Sequence, residues 1–390
     1  AISAIITNNA LASARPFIYR QESIIPFDGQ PVLNTSLLRV HPPEAGKGKS
    51  WGDGFPWIAA FLEDLFPDCI QRERFLCEWA YAYKHAYAGN PRNGRVIFIV
   101  GGPGVGKNFI TEQLIGPSLG GSCDPSDYLL GRTHFTDDLF SKGVWLCNDT
   151  PSKGDERERR VFTSNLKRMA ANARHICEGK YKGATSVEWS GRVYVTLNED
   201  PNSKQMLPEL DQSNGDKISL YQTGSKPLAG DRNKNKEHVA RELGALCAYL
   251  LGMEYPEHCV GDSRWGVKGY KHEELRASVK ALGETSSFAE IVMQFGSDMF
   301  NADPRLEALD GTSTWYLQRI LSDEGLKGTI KRHDTPVSFG RGMANLVTTG
   351  TFPVIWRKTN TGSHWRIERK AFEEYVKFGA EEVNDDENVP

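Results

Sequence analysis

Residues 95–108 read RVIFIVGGPGVGKN, and the rest of the chain is best read outward from them. VIFIV (96–100) is a short, unbroken apolar run rich in β-branched side chains. Such a run predicts a strand buried on both faces, as in a parallel sheet. GGPGVGKN (101–108) follows at once and fits G-x-x-x-x-G-K plus one polar residue. A loop of this kind turns its backbone N–H groups onto anionic oxygens, so glycine stands wherever the chain bends tightly or a side chain would intrude. A helix beginning at the loop's end adds its positive terminus. Gly102, Pro103, Gly104, Val105, Gly106, Lys107 and Asn108 are therefore candidate ligands of a nucleoside triphosphate, with the Lys107 ammonium aimed at the β- and γ-phosphates. The competing reading is a glycine-rich turn with an incidental lysine. Asn108 stands where Ser or Thr usually offers a hydroxyl to Mg²⁺; an amide oxygen can ligate the ion too, but it is larger and differently placed.

Two further runs, GVWLCND (143–149) and RVYVTLN (192–198), resemble the first, and KISLYQT (217–223) is a weaker fourth. Helical spacing over 108–117, 135–141 and 156–172 lies between them, and 235–252 reads as an amphipathic helix. Alternating strands and helices predict a mostly parallel α/β sheet, with ligands beyond the carboxyl ends of the strands. Polar residues stand at those ends. Asp149 is a candidate to hold Mg²⁺ or activate the attacking water, although Asn-Asp-Thr-Pro also suits an Asx turn. Asn198 can orient that water or sense the γ-phosphate, or simply turn the chain. Residues 174–189 read as a β-hairpin with Lys180, Tyr181 and Lys182 near its tip. Basic and aromatic side chains there can grip a phosphate backbone and stack on a base; a solvated tip would also carry lysine.

The flanks complete the expected organisation. Residues 1–50, with PFDGQPV and VHPPEAGKGKS, read as an extended arm or the remnant of a preceding domain. Residues 51–92 are a small helical region, 93–255 the core and 256–284 a linker. Residues 285–378 read as a small α+β domain, winged-helix-like, with two strands in FPVIWRK-TNTG-SHWRIER and a final helix in KAFEEYVKF. Residues 379–390 form an acidic tail expected to be disordered. The chain of 390 residues is long enough for two or three domains. A formal net charge of −3 gives no overall support to a nucleic-acid partner, so any basic surface must be local. The seven cysteines form no C-x-x-C pair and read as reduced thiols of an intracellular protein. No apolar run approaches the roughly 20 residues of a membrane-spanning helix, and the opening AISAIITNNALASA lacks the basic start of a signal peptide.

With these motifs in order, residues 56–252 resemble a superfamily 3 helicase, nearest the primase-helicases of phages, plasmids and viruses. The resemblance rests on RVIFIVGGPGVGKN, on GVWLCND as the acidic motif, on the basic segment LKRMAANARHICEGKYKG and on RVYVTLN ending in Asn198. It implies an AAA+-like P-loop core working as a hexameric ring on single-stranded DNA, with ATP and Mg²⁺ between subunits. Lys180 and Lys182 would then track the strand, and a neighbouring subunit would supply an arginine finger. Relatives often keep an arginine pair before the last strand, where this chain has SNGDKISLYQT with Lys217; Arg232 is the next basic candidate. A primase domain is expected ahead of such a core, or priming falls to a separate primase or polymerase. The implied location is the host cytoplasm, at the site of replication. The residues also leave open an RNA-directed ATPase, and a nucleotide-dependent DNA-binding assembly protein with little turnover.

Overall fold

A computed structural model describes residues 11–136, 138–148, 156–179, 184–208, 210, 215–262, 264–323, 325–327, 330, 333–349, 352–360 and 362–384. At the N-terminal side, β1 (Ser13–Arg15), β2 (Ile24–Phe27) and β3 (Gln30–Asn34) form a three-stranded sheet. Its central strand β3 is antiparallel to β2 and parallel to β1. Asp28 and Gly29 join β2 to β3 at φ of 51° and 76°, the left-handed pair that a two-residue Asp-Gly hairpin requires. Phe17, Phe27 and Val32 pack beneath it. Within 1–50, expected to be an extended arm or the remnant of a preceding domain, residues 13–34 thus hold a small sheet. Pro26 and Pro31 face each other across the hairpin and argue against a strand; Pro26 lies on the edge strand β2, and Pro31 stands beside the turn at the start of central β3, where its carbonyl still accepts from the Ala12 N–H.

α1 (Pro56–Leu65) and α2 (Cys69–Tyr87) follow. Pro56 lies in the first turn of α1, where a missing N–H is no loss. Asp68 caps α2 by accepting from the Gln71 N–H at 2.6 Å. β4 (Val96–Gly101) is buried at every position and leads through the glycine loop into α3. α3 begins as Lys107–Phe109, widens into a π-helical stretch over Ile110–Ile115 and ends as Gly116–Ser118. Pro117 cannot donate an N–H, and Gly116 reaches back five residues to the Thr111 carbonyl, so the helix widens rather than breaks.

The remaining core elements are β5 (Ser122–Cys123), α4 (Ser126–Leu129), β6 (Val144–Asn148), α5 (Glu156–Ala171), the hairpin β7 (Arg174–Cys177) and β8 (Thr185–Glu188), β9 (Arg192–Asn198), α6 (Pro201–Lys204), β10 (Ile218–Gln222) and α7 (Arg232–Gly252). Five strands make one wholly parallel sheet in the order β10-β4-β9-β6-β5. β9 thus lies between β4 and β6, with Asn198 beside Gly101 and Thr196 beside Asn148. The helix expected at 135–141 is only a 3₁₀ turn, Leu139–Ser141. Thr136 instead spends its N–H and hydroxyl on Glu178 of the hairpin, a tertiary pairing that overrides the local spacing.

Residues 256–272, expected to be linker, pack on this first unit. Trp265 and Val267 are buried, the Arg95 guanidinium donates to the Val267 carbonyl, and Lys271 bridges Leu220. α8 (Glu273–Ala302) takes up the rest of the expected linker, and the boundary between two compact units falls inside it, after Arg276. The second unit continues with β11 (Ala308–Thr312), α9 (Ser313–Ser322), α10 (Pro336–Thr349), β12 (Ile355–Thr359), β13 (Gly362–Glu368) and α11 (Arg369–Asn384). Its three strands are antiparallel in the order β11-β13-β12 over a core that includes Phe288, Val292, Tyr316, Phe339, Trp365 and Phe372. α11 runs to Asn384, so the first half of the tail expected to be disordered is helical; 385–390 lie outside the described residues. Among the described residues no helix is long and apolar enough to cross a membrane.

Candidate functional site

The glycine loop leaves the carboxyl end of β4 and enters the first turn of α3. Gly104 and Gly106 have φ of 75° and 104°, a conformation that L side chains resist. At Gly106 a Cβ would also stand 2.7 Å from Phe61 Cε2. At Gly101 a Cβ would meet Thr223 Oγ1 at 1.8 Å. The loop is held from above by the Leu228 N–H, which donates to the Gly104 carbonyl at 2.9 Å.

Lys107 is only 5% exposed. Its ammonium donates to the carbonyls of Gly101 (2.9 Å) and Gly102 (2.7 Å) and to Asn198 Oδ1 (3.0 Å). The fold therefore brings together Lys107 and Asn198, which lie 91 positions apart in the chain. Asn108 faces the same strand: its Oδ1 accepts from the Thr196 hydroxyl at 2.8 Å. Thr196 Oγ1 also lies 3.2 Å from Asn148 Oδ1, and one hydroxyl proton cannot serve both amides at once. The Asn148 amide in turn donates to Glu112 Oε1 at 2.9 Å, and Glu112 Oε2 lies 3.6 Å from the Arg232 guanidinium. Arg232, expected to act on a neighbouring subunit, thus meets a carboxylate of its own chain.

Asn148, Thr196 and Glu112 escaped the sequence reading as site residues. The signals were present but indirect. Thr196 is two residues before Asn198 and so shares its face of the strand, and Glu112 is one helical turn beyond Asn108. Asn148 stands directly before the acid that the reading preferred. Asp149, Lys180, Tyr181 and Lys182 lie outside the described residues.

Among the described residues to either side of Lys180–Lys182, β7 and β8 pair as a hairpin base from Arg174↔Glu188 to Cys177↔Thr185. His175 is buried there against Phe140, with ring centroids 5.5 Å apart, and burial holds its imidazole down at about 4. Beside the hairpin, the Thr136 N–H donates to the Glu178 carbonyl and the Glu178 N–H to Thr136 Oγ1. The adjoining Phe135 is left 53% exposed.

No group of three or more His, Cys, Asp or Glu suited to a metal occurs among the described residues. The oxygens that meet beside Asn108 are two amide carbonyls and a threonine hydroxyl, and the Glu112 carboxylate lies beyond them on the Asn148 amide nitrogen. Such a set suits a hard cation that keeps several waters and takes further ligands from phosphate.

Residues 99–214 match the model of a family of unknown function, DUF5906. No protein among the curated ones matches the sequence. The fold is similar to that of the NrS-1 C-terminal region (305–718) in its apo structure, with 11% identity and a TM-score of 0.53 over 91% of this chain and 84% of that one. The A-form apo structure of the same region gives 10% identity and a TM-score of 0.52 over the same shares.

Proposed function

We propose that this chain is an ATP-driven motor on single-stranded DNA, of the superfamily 3 helicase type, serving replication of a virus or mobile element. The observation that carries the reading is Lys107. A buried ammonium at the mouth of a glycine loop, whose partners include two loop carbonyls and Asn198, is placed to exchange these for phosphate oxygens. The left-handed glycines fit a phosphate cradle, since a Cβ at Gly106 would close it. The strand order supports an AAA+-like P-loop core, because it sets Asn198 between the loop and the end of β6. In this reading Lys107 binds the β- and γ-phosphates, and Asn198 senses the terminal phosphate and orients the attacking water. Asn108 and Glu112, with Asp149, would hold Mg²⁺, which neutralises developing charge when bound.

Lys180, Tyr181 and Lys182 would grip the DNA strand, with Phe135 offering a further stacking surface beside their hairpin. In the second unit the element order helix, strand, helix, helix, strand, strand supports a winged helix. Arg341 on α10 and Arg357 and Lys358 on β12 are exposed and available to a nucleic acid. A homohexamer is the assembly that this class implies, inside the host cell and in company with a primase or polymerase.

The test is steady-state ATP hydrolysis with and without single-stranded DNA, beside Lys107→Ala. Hydrolysis stimulated by DNA and lost in the variant is expected. The contact of Arg232 with Glu112 of its own chain favours one second reading, a nucleotide-dependent assembly protein with little turnover. ATP binding without multiple turnover in either condition would select it.

A further inference from the structure

The glycine loop accounts for phosphates but leaves the rest of a nucleotide unassigned. A run of aromatic rings leads away from it. Phe61 lies against Gly106, and Phe109 is the residue after Asn108; their ring centroids are 5.6 Å apart. Trp57, one turn before Phe61 on α1, stacks on it at 5.7 Å and 12° and meets Phe109 edge-on at 5.9 Å. His238 of α7 then stacks on Trp57 at 5.3 Å and 8°. Phe61 and Phe109 are buried, whereas Trp57 and His238 are half-buried and reach the surface. The buried pair needs only a packing explanation. The half-buried pair is polar-edged, nearly parallel and contiguous with the first turn of α3.

His238 carries one more cue. The Arg241 guanidinium lies 3.2 Å from His238 Nδ1 and can only donate, so in the neutral ring Nδ1 accepts and Nε2 carries the proton. No partner for that Nε2–H occurs among the described residues. We infer that Trp57 and His238 form the nucleobase site of the nucleotide whose phosphates the glycine loop binds: a base stacks on the Trp57 indole beside the imidazole and accepts a hydrogen bond from His238 Nε2 in the plane of that ring. A stacking site with one donor takes a purine base through its large π-face and ring nitrogens. The inference rests on the nucleotide-binding reading of the loop.

The full chain with Mg²⁺ is titrated with ATP and, separately, with inorganic tripolyphosphate, which has the phosphates and no base. Trp57→Ala is expected to weaken ATP by about tenfold or more, in the range of losing one base–aromatic stack, and to leave tripolyphosphate within about twofold. Trp57→Phe keeps a stacking face and is expected to retain most of the ATP affinity. His238→Ala serves as the second variant should Trp57→Ala fail to fold, with the same selective loss expected. Equal weakening of both ligands would overturn the inference, since the ring would then only support Phe61 and Gly106. No effect on either ligand would overturn it too. Lys107→Ala separates the two claims: if that variant binds ATP as the unaltered chain does, the phosphate reading of the loop fails, whatever the aromatic variants do.

Discussion

Asn198→Asp turns a neutral partner of Lys107 into a charged one at a position where the two side chains are 3.0 Å apart. At an effective permittivity of about 20, unit charges about 3 Å apart attract by roughly 5 kcal/mol. Bringing a carboxylate beside an ammonium that is only 5% exposed takes back much of that, and about 2 kcal/mol is a reasonable net gain for the nucleotide-free state. On the proposed reading of the loop, the same carboxylate would face the terminal phosphate of a bound nucleotide and repel it. Both effects act against binding. Two kcal/mol alone corresponds to about 30-fold in affinity, so ATP is expected to bind at least that much more weakly. The thermal midpoint without nucleotide is expected to rise, while the increase that ATP produces shrinks. Asn198→Ala is the control: it leaves Lys107 its two carbonyls and changes affinity far less. The assay pairs a titration with a fluorescent ATP analogue and thermal unfolding with and without ATP. An aspartate variant that binds ATP as tightly as the unaltered chain would refute the reasoning, for Lys107 would then not be a phosphate ligand restrained by Asn198.

Two further expectations concern the frame around the site. Gly101→Ala would drive a Cβ to 1.8 Å from Thr223 Oγ1 and 2.9 Å from Thr223 Cβ, an overpacked contact that should lower stability by about 3 kcal/mol in denaturant unfolding. Adding Thr223→Ala should recover part of that loss, and a loss unchanged by it would disprove the contact. His175 supplies a pH dependence. Its proton binds at about 4 in the folded chain against 6.5 ordinarily, so between those values the unfolded state binds more protons and stability falls as pH falls through the window. The full difference is about 3 kcal/mol. His175→Phe should flatten the melting-temperature profile between pH 6.5 and 4, and an unaltered profile would count against a buried neutral imidazole.

What the sequence reveals and what it hides divide along the range of the interactions involved. VIFIV, VWLCN and RVYVTLN are legible as strands because a strand buried on both faces must be apolar at every position, a purely local demand. β5 has two residues and no pattern to find; only its parallel pairing with β6 makes it a strand. Asp28-Gly29 is a local signal, overlooked because two prolines flank it. α10 was hidden for the opposite reason. Gly340 and Gly342 lower its helix propensity, yet a Cβ at either would stand 2.8 Å from Ser313 Oγ or 2.7 Å from Phe288, so the glycines permit a close approach. A residue that weakens a helix alone can be the one that lets it pack.

The site follows the same division. Lys107 announces itself within eight residues, because the loop's geometry is written in glycines. Glu112 and Thr196 belong to no motif, and their proximity to Asn148 is a property of the sheet order alone. Had β9 lain outside β4 and β6 rather than between them, Asn198 could not reach Lys107, and the Thr196 hydroxyl could not stand between Asn108 and Asn148. The strand inserted between the loop and the end of β6 therefore carries both Asn198, the partner of Lys107, and Thr196, from which the polar network runs towards Arg232. Any displacement of Lys107 from Asn198 towards a phosphate frees the Asn198 amide two residues from Thr196, on the same face of one strand. From Thr196 the contacts run on through Asn148 and Glu112 to Arg232.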